Sequence, residues 1–191
     1  MNIKNINKIF PPENCELFSN LQINGEGLWS ITHPNEADDI SLYIKNLLGT
    51  NISIIDMNAG CGGNLLSFCK YFNKVTGIEI IKETFTLLEN NIKCYNYSNV
   101  KILNDNCINY LDKDHDVYFF DPPWGGPNYK NLDKINIKIN DTNLEDIIDK
   151  IKGNKLIVLK LPYNYSNNFK NIIKENKIGN IVILFIKLIN L

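Results

Sequence analysis

Asp121-Pro122-Pro123-Trp124-Gly125-Gly126-Pro127 brings an acid, two prolines and an indole together within seven residues. The string follows Asp116-Val117-Tyr118-Phe119-Phe120, an apolar run that reads as a buried strand. Proline fixes φ and carries no N–H, so the chain must leave a sheet at this point. The Pro122 carbonyl is then free of a ladder partner and can accept a hydrogen bond from a ligand. An acid, an open carbonyl and a flat indole suit one task, holding the exocyclic amino group of a planar base. A lone Pro-Pro-Trp is equally a rigid turn with a core Trp, so the neighbouring residues must decide.

A second set of chemistry-bearing residues lies upstream. Asp56-Met57-Asn58-Ala59-Gly60-Cys61-Gly62-Gly63-Asn64 ends one apolar run and opens a helical one. Glycines there let backbone approach a ligand. The spacing is neither GxGxxG nor a Walker loop, because no Gly-Lys-Ser/Thr follows. Glu79 closes the next strand, where a carboxylate can accept both hydroxyls of a ribose. Asp105 follows a third, within reach of an adenine amino group. Taken singly, these residues fit an empty αβ turn, a solvated strand end and a helix N-cap. Their order at successive strand ends resembles the nucleoside-methyltransferase pattern for S-adenosylmethionine.

The elements that must position these residues alternate. Residues 1–34 are irregular. A helix begins at Asn35, with Ile40, Tyr43, Ile44, Leu47 and Leu48 at helical spacing. Strands follow at 52–56, 75–79, 99–103, 116–121, 156–159 and 181–186. Helices fall near 63–72, 82–94, 144–151 and 166–177. Alternation of this kind predicts an α/β fold, a mostly parallel central sheet with helices on both faces, and ligands at the carboxyl ends of the strands. An N-terminal extension over 1–34 is expected to pack over the active site, and 35–191 to form one domain.

Composition narrows the function classes. The chain has 191 residues, is 44% hydrophobic and carries a formal net charge of −1. A grip on long nucleic acid normally leaves a basic footprint, which is missing here. There is no arginine, so phosphate must be met by Lys, hydroxyls or backbone N–H groups. The five cysteines are scattered without a CxxC pair, which reads as buried or half-buried thiols rather than a metal site. No apolar run reaches membrane-spanning length and the N-terminus lacks a secretory segment, so an intracellular monomer without metal or membrane is expected.

Pro122-Pro123-Trp124-Gly125-Gly126-Pro127-Asn128-Tyr129 closely resembles the motif of trimethylguanosine synthases, the RNA-cap guanine-N2 methyltransferases. Leu17-Phe18-Ser19, Gly27-Leu28-Trp29-Ser30-Ile31-Thr32, the Asp56–Asn64 turn and Leu161-Pro162 extend the likeness from about Leu17 to Asn164. The resemblance implies a Rossmann-like class I methyltransferase fold. It implies S-adenosylmethionine held by Phe18, Ser30, Thr32, Asp56, Asn58, Gly60, Gly62, Asn64, Glu79, Asp105, Asn106 and Asp121. It also implies capped RNA or 7-methylguanosine nucleotides as substrate, met by Trp124, Lys130, Pro162, Tyr163 and Asn164, with Asp121, Pro122 and Trp124 as the catalytic group. Stacking of a cationic base on Trp124 adds about 0.5–2 kcal/mol of cation–π attraction.

This chain departs from the family in three places. Asp121 stands where the family usually has Ser, and Asp there is commoner in adenine-N6 methyltransferases. Tyr163 stands where the family has an Arg for the cap phosphates, a role that Lys130, Lys160 or an N-terminal Lys would then take. The tail after Lys177 is short for the last two strands, which predicts a sheet truncated at its C-terminal edge. Three functions follow: cap guanine-N2 methylation, adenine-N6 methylation of DNA or RNA, and cap binding without catalysis. Cytoplasm or nucleus is the expected site of action. A viral member, which the AT-rich codon bias and absence of Arg suit, would act in the virion or infected-cell cytoplasm.

Overall fold

The structure is a computed structural model that describes residues 6–12, 15, 17–166 and 168–189. The chain forms two compact units, Met1–Asn106 and Cys107–Leu191.

In the first unit, short helical turns at Ile6–Lys8 and Phe18–Asn20 lead to α1 (Gly27–Ser30) and α2 (Pro34–Leu48). Pro34 starts α2 where a missing N–H costs nothing, and its Ala37, Ile40 and Ile44 form the buried stripe. Then come β1 (Ser53–Asp56), α3 (Gly63–Tyr71), β2 (Lys74–Ile78), α4 (Lys82–Tyr95) and β3 (Val100–Leu103). β1 pairs with β2 and β2 with β3, both in parallel, with Asp56 level with Gly77 and Ile78 level with Leu103. The sequence boundaries hold to within two residues. Ile54, Ile55, Leu65, Phe68, Val75, Ile78 and Leu88 fill the core between these elements. The effect on function is simple: β1, β2 and β3 end side by side, so Asp56, Glu79 and Asp105 emerge at one edge.

In the second unit, β4 (Val117–Phe120) is buried along its whole length, as a parallel strand covered on two faces must be. After it come the two-residue strands β5 (Lys138–Ile139) and β6 (Thr142–Asn143), then α5 (Leu144–Ile148) and β7 (Lys155–Pro162). β4 runs parallel to β7, with Phe120 level with Leu159. The chain then forms β8 (Ile172–Ile178) and β9 (Ile181–Leu188), an antiparallel hairpin whose β9 pairs antiparallel with β7.

That hairpin corrects two expectations. Residues 166–177 do not form a helix, and the C-terminal edge is not truncated, because the tail supplies both strands. Gly179 and Asn180 form a two-residue turn, with Gly179 at φ +58°. Gly-Asn directly before the apolar run Ile181–Ile186 fits a two-residue hairpin turn, and it outweighs the weak helical spacing of Phe169, Ile172 and Ile173 before it. Asn171, also at positive φ (58°), interrupts any helix at that point.

Candidate active site

The first unit builds a cradle around the glycine turn. Asp56, 1% exposed, ends β1, and its Oδ1 accepts the Asn58 N–H at 3.1 Å. Gly60 and Gly62 take φ of +53° and +105°, conformations that side chains resist, and these turn the chain from β1 into α3. Space above Gly60 is open, since a Cβ built there would touch nothing within 4 Å. Glu79 braces this turn. Its Oε2 accepts the Gly60 N–H at 3.0 Å and its Oε1 the Ile81 N–H at 2.8 Å. Burial pushes the Glu79 carboxyl above its ordinary pKa, against the pull of those backbone donors. Asn104 ties β3 to β2 by donating to the Glu79 and Ile80 carbonyls at 2.8 and 3.1 Å, and Asp105, whose Oδ1 accepts the Asn106 N–H at 2.7 Å, follows it.

The segment before α2 packs against the start of α3. Gly63 has no room for a Cβ, which would lie 2.7 Å from Ile31 Cγ1 and 2.8 Å from the Thr32 carbonyl. Asn64 donates to Thr32 Oγ1 at 2.8 Å, so these two residues hold each other. Ser30 donates to its own helix at the Glu26 carbonyl, and Phe18 lies half-buried in the turn that begins the segment. Asn91, fully buried, was not foreseen. It accepts the Gln22 N–H and donates to the carbonyls of Gln22 and Cys61, locking segment, glycine turn and α4 together. Its signal in the sequence was a polar residue inside the apolar stripe Leu88, Ile92, Tyr95.

The second unit builds a clamp. Asp121 leaves β4 partly buried, Pro122 is buried and Pro123 exposed. Trp124 meets Tyr129 edge-on, with ring centroids 5.2 Å apart at 85°. The indole Nε1 of Trp124 is buried without a hydrogen-bond partner among the described residues. Asn164 donates to the carbonyls of Tyr129 and Leu132, at 2.8 and 2.6 Å, and so fixes the loop that carries Tyr129. Tyr163 is half-exposed and its hydroxyl reaches the Lys130 carbonyl at 3.4 Å, while the Lys130 side chain is exposed. Pro162 ends β7. Lys160 does not point to solvent. Its Nζ donates to Asp121 Oδ2 at 2.8 Å and stands 5.3 Å from the centroid of the Trp124 ring. Among the described residues, no group of His, Cys, Asp and Glu is arranged to hold a metal, and no helix is long and apolar enough to cross a membrane.

Residues 51–181 match the family described as RNA cap guanine-N2 methyltransferase. The chain belongs to that family. A protein of Acanthamoeba polyphaga mimivirus is 34% identical over 198 residues, covering 88% of this chain and 77% of that one. The trimethylguanosine synthase of Schizosaccharomyces pombe is 30% identical over 133 residues, with 62% of this chain and 54% of that protein covered. Among solved structures, the T. thermophilus 16S rRNA N2 G1207 methyltransferase, in complex with AdoMet and guanosine, superposes with a TM-score of 0.60 at 14% identity. That superposition covers 79% of this chain and 42% of the other. The fold is thus that of class I methyltransferases, and the methyl donor of this family member is S-adenosylmethionine.

The first unit fits that donor. The buried Oδ1 of Asn58 has no hydrogen-bond partner among the described residues, and it suits an ammonium donor. Both Glu79 oxygens keep a lone pair after their backbone bonds, as two ribose hydroxyls would need. Exposed Ile80 and Ile81 offer apolar surface beside it.

Proposed function

We propose that this methyltransferase modifies the exocyclic N2 of 7-methylguanosine in an RNA cap. The observation that carries the reading is the clamp of Asp121, Pro122 and Trp124 in a chain whose family is the cap guanine-N2 methyltransferases. S-adenosylmethionine supplies the methyl group on a sulfonium that is already a good leaving group. Asp56, Asn58, Gly60, Gly62, Glu79, Asp105 and Asn106 hold it. Phe18, Ser30, Thr32 and Asn64 belong to the cover formed by the segment before α2 and its contact with α3.

An aryl amine is a weak nucleophile because its lone pair is delocalised into the ring. Asp121 and the Pro122 carbonyl accept hydrogen bonds from the two N–H groups, which orients the nitrogen and favours its pyramidal form. The Asp121 carboxylate is the nearest group to receive the proton that the amine loses. Trp124 stacks on the base, worth about 1–3 kcal/mol. Lys130, Tyr163, Asn164 and Pro162 line the outer part of the clamp, where the ribose and phosphates of a cap would extend. Without Arg, Lys130, exposed and beside Tyr163, is a cation available to them.

Asp121 favours a second reading, adenine-N6 methylation, because a carboxylate there accepts from an adenine amine equally well. Transfer of labelled methyl to three RNAs separates the two. The cap reading expects transfer to RNA bearing a 7-methylguanosine cap and none to the same RNA with an unmethylated guanosine cap. Label in internal adenines of uncapped RNA would replace it with the adenine reading.

A further inference from the structure

Lys160 sits in the apolar strand Leu156-Ile157-Val158-Leu159-Lys160-Leu161, yet is only 4% exposed. Lysine is almost never buried so fully unless paired. Here the pair is Asp121, at 2.8 Å, with side chains 5% and 15% exposed. Burying two charges costs desolvation that an apolar residue on this strand would avoid, so packing alone does not account for Lys160. The third member is the indole of Trp124, whose ring centroid lies 5.3 Å from Nζ.

We infer that Lys160 is a specificity-determining positioning residue, which sets how strongly the clamp prefers a positively charged base over a neutral one. The inference rests on the reading that the base stacks on Trp124. Asp121 accepts from the amine through its carboxylate, and Lys160 donates to that same carboxylate at 2.8 Å. A lone carboxylate next to Trp124 would also attract any cationic base, including the methylated product, which still carries the 7-methyl charge. Lys160 cancels that attraction. The wild-type clamp therefore discriminates through the indole face, and the pair adds almost no net charge. At an effective dielectric constant of about 20, one uncancelled unit charge about 8–10 Å from the positive charge on the 7-methylated ring changes affinity on the order of tenfold.

The test is the ratio of dissociation constants for guanosine and 7-methylguanosine, measured calorimetrically on the full chain. Asp121→Asn, Lys160→Met and the double variant are compared with wild type. Lys160→Met is expected to raise the preference for 7-methylguanosine on the order of tenfold, and Asp121→Asn to lower it by a similar factor. The double variant leaves no unpaired buried charge, serves as the folding control and is expected to return close to the wild-type ratio. Lys160→Arg, which keeps the charge, is expected to keep that ratio. A ratio that stays constant across all variants overturns the inference while leaving the cap reading intact. The same holds if Lys160→Met weakens the 5′-triphosphates of both bases but leaves the nucleoside ratio unchanged, because Lys160 would then be a phosphate ligand. Wild-type protein that binds adenosine but neither guanine nucleoside overturns the cap reading, and the inference with it.

Discussion

Gly63→Ala is the most exacting test of how the segment before α2 seats on the glycine turn. Gly63 has ordinary helical φ, so the substitution brings no backbone strain and its effect is steric. The new methyl would meet Ile31 Cγ1 at 2.7 Å, the Thr32 carbonyl at 2.8 Å and the Thr32 amide nitrogen at 3.1 Å. Ile31 can rotate, but the Thr32 backbone cannot yield without moving the segment. Overpacking of this kind costs about 1–3 kcal/mol. Displacing Thr32 also stretches the buried bond from Asn64, worth about 1 kcal/mol. Ala improves the first turn of α3 by at most about 1 kcal/mol. The expected net loss is about 2 kcal/mol, which lowers Tm by roughly 4–8 °C in a chain of this size. Urea denaturation and a thermal melt read that loss, and calorimetry with S-adenosylhomocysteine reads an accompanying fall in cofactor affinity. Gly125→Ala is the comparison: Gly125 has φ +83° but open space around it, so any loss there is conformational. A Gly63→Ala protein as stable as wild type, with full cofactor affinity, would refute the packing described here.

Trp124→Ala removes the stacking platform and should raise KM for a 7-methylguanosine cap roughly 5–150-fold, while S-adenosylhomocysteine affinity, measured separately, stays unchanged. Glu79 gives a pH prediction. Its folded pKa is raised, so the folded state holds the proton more tightly than the unfolded chain, and the cost of burying its charge is relieved as pH falls through the folded value. Ribose hydroxyls need the ionised form, so cofactor affinity should weaken on acidification at a pH above the usual glutamate range of about 4.3. Glu79→Gln should bind more weakly yet lack that pH step in a calorimetric series. Gly179→Val forces a branched residue to φ +58° at the β8–β9 turn and should cost about 1–2 kcal/mol by urea denaturation.

The parts of this molecule that were legible in the sequence are those with local causes. Runs such as Ile52–Asp56 and Val117–Phe120 announce buried strands, and each glycine or proline cluster at their ends announces a turn. Asp56, Glu79 and Asp105 were readable as a set because a parallel sheet brings successive strand ends to one edge. The β8 strand was missed because Phe169, Ile172 and Ile173 sit at i, i+3 and i+4 like a helical stripe, while Lys174-Glu175-Asn176-Lys177 shows no alternation of apolar and polar residues, and only the Gly179-Asn180 turn marks a hairpin. Long-range polar pairs had no pattern to read. Asn91 and Lys160 each appear as one polar residue in an apolar stripe. Their partners, Gln22 and Asp121, lie 69 and 39 residues away in sequence.

The central claim is that a positively charged guanine is the acceptor. The direct measurement supplies GTP and 7-methyl-GTP together, at equal concentration, with S-adenosylmethionine, and follows both products by mass. The account predicts that a 14-Da increment appears on the 7-methylated nucleotide and forms more slowly with Trp124→Ala at subsaturating nucleotide. Equal increments on both nucleotides, or an increment confined to GTP, would contradict it.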